Sequence, residues 1–133
     1  ASSFAATRQL VDLYPRLQQI DGDREIAPGI SVFDLSGHTP GHMGVRIEDG
    51  AKSLHLVGDM MFHPAAHPSM PGLGLVFEMD KAAADAARAR FFAEAADAQA
   101  LIAATHMPFP GVGRIVREGT GLKWLAADWS YTG

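Results

Sequence analysis

Two imidazoles and a carboxylate stand at the ends of three separate apolar runs, and together they could hold a divalent metal. The first run, residues 30–35, opens into Ser36-Gly37-His38-Thr39-Pro40-Gly41-His42, where two Gly and a Pro shape a tight loop presenting two imidazoles. The second, Leu56-Val57-Gly58-Asp59, stops at a carboxylate, and the third stops at Thr105-His106, followed by Met107-Pro108-Phe109-Pro110-Gly111. Two His and one Asp at strand ends form a ligand set suited to Zn²⁺, Mn²⁺ or Fe²⁺. Strand ends also keep ligand geometry better than free loops do. Each feature has a plain structural reading when taken singly. A His after a strand is commonly a hydrogen-bonded structural residue, and Gly-Asp is commonly a turn in which Asp bonds its own backbone. Their joint occurrence, each at the end of an apolar strand, points to a site. The chain has no Cys, so any metal must be held by His and carboxylate.

The elements that would position these residues can be read from periodicity. Ala6, Leu10, Leu13 and Leu17 recur at helical spacing over residues 4–20, and Pro15 splits that stretch into two helical pieces or one kinked helix. Short strands are expected at 24–27 and 30–35. Residues 43–48 and 53–57 alternate apolar and polar side chains across Asp49-Gly50, which predicts a hairpin. Residues 60–79, rich in His, Pro and Gly, read as a long loop. Asp80 is the expected N-cap of a helix over 81–97, with Ala84, Ala87, Phe91 and Ala95 as its buried stripe. Strands at 100–104, 114–118 and 122–126 complete a single α/β domain over residues 1–133, a sheet covered on at least one face.

The run Gly37-His38-Thr39-Pro40-Gly41-His42, the later Gly58-Asp59 and the final His106 resemble the last three metal-binding motifs of the metallo-β-lactamase superfamily. His106-Met107-Pro108-Phe109-Pro110-Gly111 with Gly113-Arg114 is most similar to the branch containing methyl parathion hydrolase and related lactonases. The resemblance implies half of an αβ/βα sandwich, a mixed sheet with helices on one face. It implies His42 as ligand of a first metal, Asp59 as the carboxylate bridging two metals, and His106 as ligand of the second. Zinc is the expected ion, one or two, with manganese or iron as alternatives. Asp59 is also a catalytic residue on this reading, with His63, in the loop after it, as a second that faces the pocket. His38 would support the loop without ligating. His55, facing out of its strand, and His67, exposed or a loop contact, read as structural. Met60, Met61, Phe62 and Phe109 could line an apolar pocket, although core packing is expected for at least half of them. The family's first motif, HxHxDH, is absent, and no two His stand at i, i+2 anywhere in the sequence. The chain therefore reads as a truncated half of the fold.

The implied function is a metal-dependent hydrolase that attacks an ester, lactone or organophosphate triester with a metal-activated water. The alternative is a non-catalytic metal-binding fragment or interaction module, and metal content with hydrolysis assays would separate the two. A net charge of −4 and the lack of any Lys/Arg run argue against nucleic acid as a partner. No apolar stretch approaches a membrane span of roughly 20 residues. A soluble protein of cytoplasm or periplasm is expected, binding a small-molecule substrate. Ala1-Ser2-Ser3-Phe4 has no initiating Met and no signal pattern, and reads as the start of a processed or truncated product. Three further expectations concern behaviour. His42, Asp59 and His106 should converge. Metal should stabilise the fold. The face bearing Ile30, Val32, Val45, Ile47, Leu54 and Leu56 should be apolar and drive assembly into a homodimer or higher oligomer.

Overall fold

The computed structural model describes residues 2–130. Helix α1 (Ser2–Leu13) precedes strands β1 (Arg24–Ala27), β2 (Ile30–Asp34), β3 (Met43–Asp49) and β4 (Lys52–Leu56). A short 3₁₀ turn (Gly58–Met60), helix α2 (Ala66–Ser69) and helix α3 (Lys81–Ala98) follow, then β5 (Leu101–Ala103), β6 (Val112–Glu118) and β7 (Gly121–Ala126). The strands form one seven-stranded sheet in sequence order, antiparallel everywhere except the parallel pair β4–β5. Parallel neighbours need a crossover. Here the 60–79 loop and α3 supply it, which places α3 against the sheet and the ends of β4 and β5 side by side.

Helix α3 is capped as its sequence indicates. The Asp80 side chain accepts from the Ala83 backbone N–H at 3.0 Å, and Gln99 closes the helix in the left-handed conformation. Ala84, Ala87, Phe91 and Ala95 are all buried, joined by Phe92 and Arg88. Phe33, Val57, Ile102 and Ile115 meet them from the sheet, and Phe33 stacks on Phe91 with ring centroids 5.7 Å apart. Alternation leaves Ile30, Val45, Ile47, Leu54 and Leu56 on the opposite face, where the register pairs Ile47 with Leu54 and Val45 with Leu56. Both Ile47 and Leu56 are 38% exposed, so that face carries uncovered apolar surface.

The amino-terminal expectation needs correcting. Helix α1 stops at Leu13 before Pro15, the next residues are not helical, and Leu10, Leu13 and Leu17 are exposed instead of docked. Periodicity detects an amphipathic stripe, but Leu10, Leu13 and Leu17 are not covered by any of the described residues. His55 differs from expectation, since it is buried, whereas His67, buried as well, makes the loop contacts that one of its two readings gave. His55 sits between Phe33 and Phe91, on the helix side of its strand. His67 accepts through Nδ1 from the backbone N–H groups of Phe62 (2.9 Å) and His63 (3.2 Å), and Nε2 lies 3.0 Å from Leu73 O. That pattern makes Nε2 the donor and the ring neutral.

Burial pushes both imidazoles below the ordinary value of 6.5. As pH falls past 6.5, the unfolded chain takes up protons that the folded chain refuses, so stability is full above that value and declines below it. The melting temperature is expected to be higher at pH 7.5 than at pH 5, and His55→Phe should flatten the dependence. A pH-independent melt, or an unchanged slope in the variant, would refute the assignment.

Candidate functional site

The site assembles because three chain segments are stapled at one end of the sheet. At the end of β2, Asp34 Oδ1 accepts from the Ser36 backbone N–H at 3.1 Å and from the Ser36 hydroxyl, which holds the Asp34 carboxyl below its usual range. The Leu35 N–H donates to His42 O at 2.9 Å and closes the His-bearing loop. Its outer side is fastened to α3, where Asp80 N–H donates to Gly37 O at 2.9 Å and Met79 N–H to His38 O at 3.2 Å. Gly37 adopts φ +140°, and a Cβ there would lie 2.2 Å from the Ala84 backbone nitrogen. Only glycine lets the loop approach the helix so closely.

The second staple joins the ends of β4 and β5. Val57 N–H donates to Ala103 O at 3.0 Å and Thr105 N–H to Gly58 O at 3.3 Å, continuing the parallel pairing past the strands. Asp59 and His106, far apart in sequence, are thereby neighbours. Asp59 Oδ1 lies 3.2 Å from His106 Nε2, and its Oδ2 lies 3.3 Å from His38 Nε2. One carboxylate is thus gripped by two imidazoles, one on each oxygen. Asp59 (38%) and His106 (42%) are open to solvent, whereas His38 (16%) is mostly covered.

His42 lies beside this trio. Its Nδ1 is 3.2 Å from Leu35 O, and Nε2 is turned to Gly58, where a Cβ would come within 3.0 Å. Burial lowers its pKa, with the Leu35 carbonyl opposing the shift. Its ring centroid is 5.9 Å from that of His38. An aromatic wall completes the cluster. Phe62 stacks on His106 with centroids 4.3 Å apart and planes 17° apart, and Phe77 meets both Phe62 (5.5 Å) and His38 (5.8 Å) edge-on.

Of the residues singled out by sequence, Asp59 and His106 are in contact and His42 is adjacent. His63 is exposed, and its Nδ1 accepts from Ala65 and Ala66 N–H at 3.2 Å each, which caps α2. Met60 and Met61 are core residues, and Phe109 is largely exposed against Trp129. The contact of His38 with Asp59 is not legible in the sequence, because which face of a loop an imidazole takes depends on packing. Arg88 is a further residue beside the site that stands outside the sequence-derived set. That residue stands four positions after Ala84, inside the apolar stripe, and a charge in that stripe was the available signal.

Among the described residues, no group of three or more His, Asp or Glu side chains is arranged to hold a metal ion. Nε2 of His38 and Nε2 of His106 lie 3.3 and 3.2 Å from the Asp59 carboxylate, and His42, in the same small cavity, turns its Nε2 to Gly58. These side chains by themselves therefore do not fit a metal centre.

A mixed sheet with α3 packed on one face and His and Asp side chains at the strand ends matches half of a metallo-β-lactamase-type α/β sandwich. No family model matches the chain, and no curated protein matches it. Solved structures do. The chain is similar to AidC, a dizinc quorum-quenching lactonase in complex with a product, with a TM-score of 0.83 and 25% identity over 95% of this chain and 43% of that one. It is also similar to AbOPH, a hydrolase in the beta lactamase superfamily, with a TM-score of 0.75 and 26% identity over 80% of this chain and 37% of that one. A probable metal-dependent hydrolase from Staphylococcus aureus shares the fold at a TM-score of 0.69 and 17% identity, over 90% of this chain and 43% of that one. The chain spans about two-fifths of the length of these structures.

Proposed function

We propose that this chain is part of a hydrolase acting on an ester, a lactone or an organophosphate triester. The observation that carries the reading is the coincidence of two facts. The backbone follows a lactonase over 95% of its length, and the one solvent-open carboxylate of the strand-end cluster is held on both oxygens by imidazoles. Water adding to a carbonyl or phosphoryl centre must give up a proton, and the leaving alkoxide must gain one. Asp59 is the group we assign to take that proton and pass it on, with the Nε2–H groups of His38 and His106 orienting it. Phe62 and Phe77 offer an apolar wall for the organic part of such a substrate.

The expected zinc, or manganese or iron in its place, is part of this reading only as a property of a completed site. Donors beyond those present here would be needed, and His42, Asp59 and His106 would be this chain's contribution. A second copy of the chain, packed on the open sheet face, is the proposed source. No helix among the described residues is long and apolar enough to cross a membrane.

The test is a panel of lactone, ester and organophosphate triester substrates given to the purified chain with Zn²⁺, Mn²⁺ or Fe²⁺ added, beside Asp59→Asn. Hydrolysis that drops by about 100-fold or more in the variant supports the assignment. Turnover unaffected by the variant refutes the role of Asp59. Absence of turnover under every condition leaves the non-catalytic binding module as the reading.

A further inference from the structure

One guanidinium borders the cavity of His38, His42 and Asp59, is used by no step above, and ties down the loop that carries the site's aromatic wall. Arg88 projects from the middle of α3 and is 1% exposed. Its Nε donates to Met60 O at 3.2 Å, one residue past Asp59. Its Nη1 donates to Pro71 O at 2.9 Å and pairs with Asp85 at 2.9 Å, and its Nη2 pairs with Glu78, whose side chain is wholly buried. The start, middle and end of the 60–79 loop are therefore tied to one planar, five-donor group on a rigid helix. Two rings that face the His–Asp cluster, Phe62 and Phe77, sit within the span that these bonds close.

We propose that Arg88 is the positioning residue of this site, holding the 60–79 loop so that Phe62 stays stacked on His106 and the Asp59 backbone stays in register. A loop of this length pays conformational entropy to remain in one arrangement. Apart from the His67 contacts, which order residues 62–73, Arg88 is the anchor that joins both ends. Lysine cannot replace it, since a single ammonium cannot reach four acceptors spread around a plane. The inference takes its interest from the reading of the His–Asp cluster as a hydrolytic site, but its test does not depend on turnover.

The readout is the NMR resonance of the His106 ring proton on Cε1, which a ring stacked 4.3 Å away shifts upfield. Phe62→Leu sets the unstacked reference. Arg88→Lys is expected to move the resonance most of the way to that reference. Phe92→Leu, a core variant on the same helix that lowers stability but removes none of the bonds tying the loop to Arg88, should leave it in place. Should Arg88→Lys fail to fold, Glu78→Gln takes its place and should move the resonance in the same direction. A wild-type resonance in the folded Arg88 or Glu78 variant overturns the proposal, as does an equal displacement in Phe92→Leu. Loss of hydrolysis with an unmoved resonance would count against Arg88 and leave the function standing, while an inactive wild type with the expected displacements would do the reverse.

Discussion

Arg88→Met is expected to lower the free energy of unfolding by about 3–5 kcal/mol, the cost of stripping one partner from a buried ion pair. Glu78 would be left buried with no cation, and the carbonyls of Met60 and Pro71 would each lose a donor. Burial already pushes the Arg88 pKa down, yet a guanidinium remains charged, so Arg88 enters the interior as an ion. Adding Glu78→Gln to Arg88→Met should restore part of the loss, because the amide removes the stranded charge. It can also keep an acceptor near the Leu75 N–H, which Glu78 Oε2 now holds at 2.9 Å. Urea denaturation of the two variants measures both quantities. A loss below about 1 kcal/mol for Arg88→Met, the scale of an exposed pair, would show that this ion pair is not sequestered from water.

The second large effect is expected at Gly37. Gly37→Ala puts a methyl 2.2 Å from the Ala84 nitrogen and 2.4 Å from its Cα, both backbone atoms that cannot swing aside. It also forces a non-glycine residue to φ +140°, a conformation whose strain alone is about 1–3 kcal/mol. Relief requires the His-bearing loop to back away from α3, breaking the bonds from Asp80 to Gly37 O and from Met79 to His38 O. Gly50→Ala is the natural comparison. It shares a positive φ of +59°, but a Cβ there meets nothing within 4 Å, so its cost should stay near about 1–2 kcal/mol. Equal losses in the two variants, measured by urea denaturation, would mean that the loop is not pressed on the helix.

Local rules carried a good deal of this protein. The β3–β4 hairpin at Asp49-Gly50 was readable because alternation and turn chemistry act between near neighbours, and Gly50 does adopt φ +59°. Helix α3 was readable from Asp80 and the spacing of Ala84, Ala87, Phe91 and Ala95, since capping and a 3.6-residue period are properties of the chain itself. The same logic overreached at residues 15–20, where a helical spacing continued past Pro15 but the chain did not. The residue types of the site were legible too. Apolar runs ending in Asp59 and His106 marked strand ends, and the parallel β4–β5 pair then made those ends adjacent.

What sequence alone left open depends on distances between segments remote along the chain. The imidazole that meets the second oxygen of Asp59 is His38, not His42. The choice is made by Gly58, which gives His42 a place to lie, and by Met79, just ahead of α3, whose N–H holds the His38 carbonyl. His55 reads in sequence as facing out of its strand, and the tertiary fold buries it between Phe33 and Phe91; His67 reads as exposed or a loop contact, and the folded loop selects the contact. Arg88 is the plainest case. In a helical wheel it is a charge in the wrong place, and only the folded loop, bringing Met60, Pro71 and Glu78 to it, supplies the acceptors that make its burial possible.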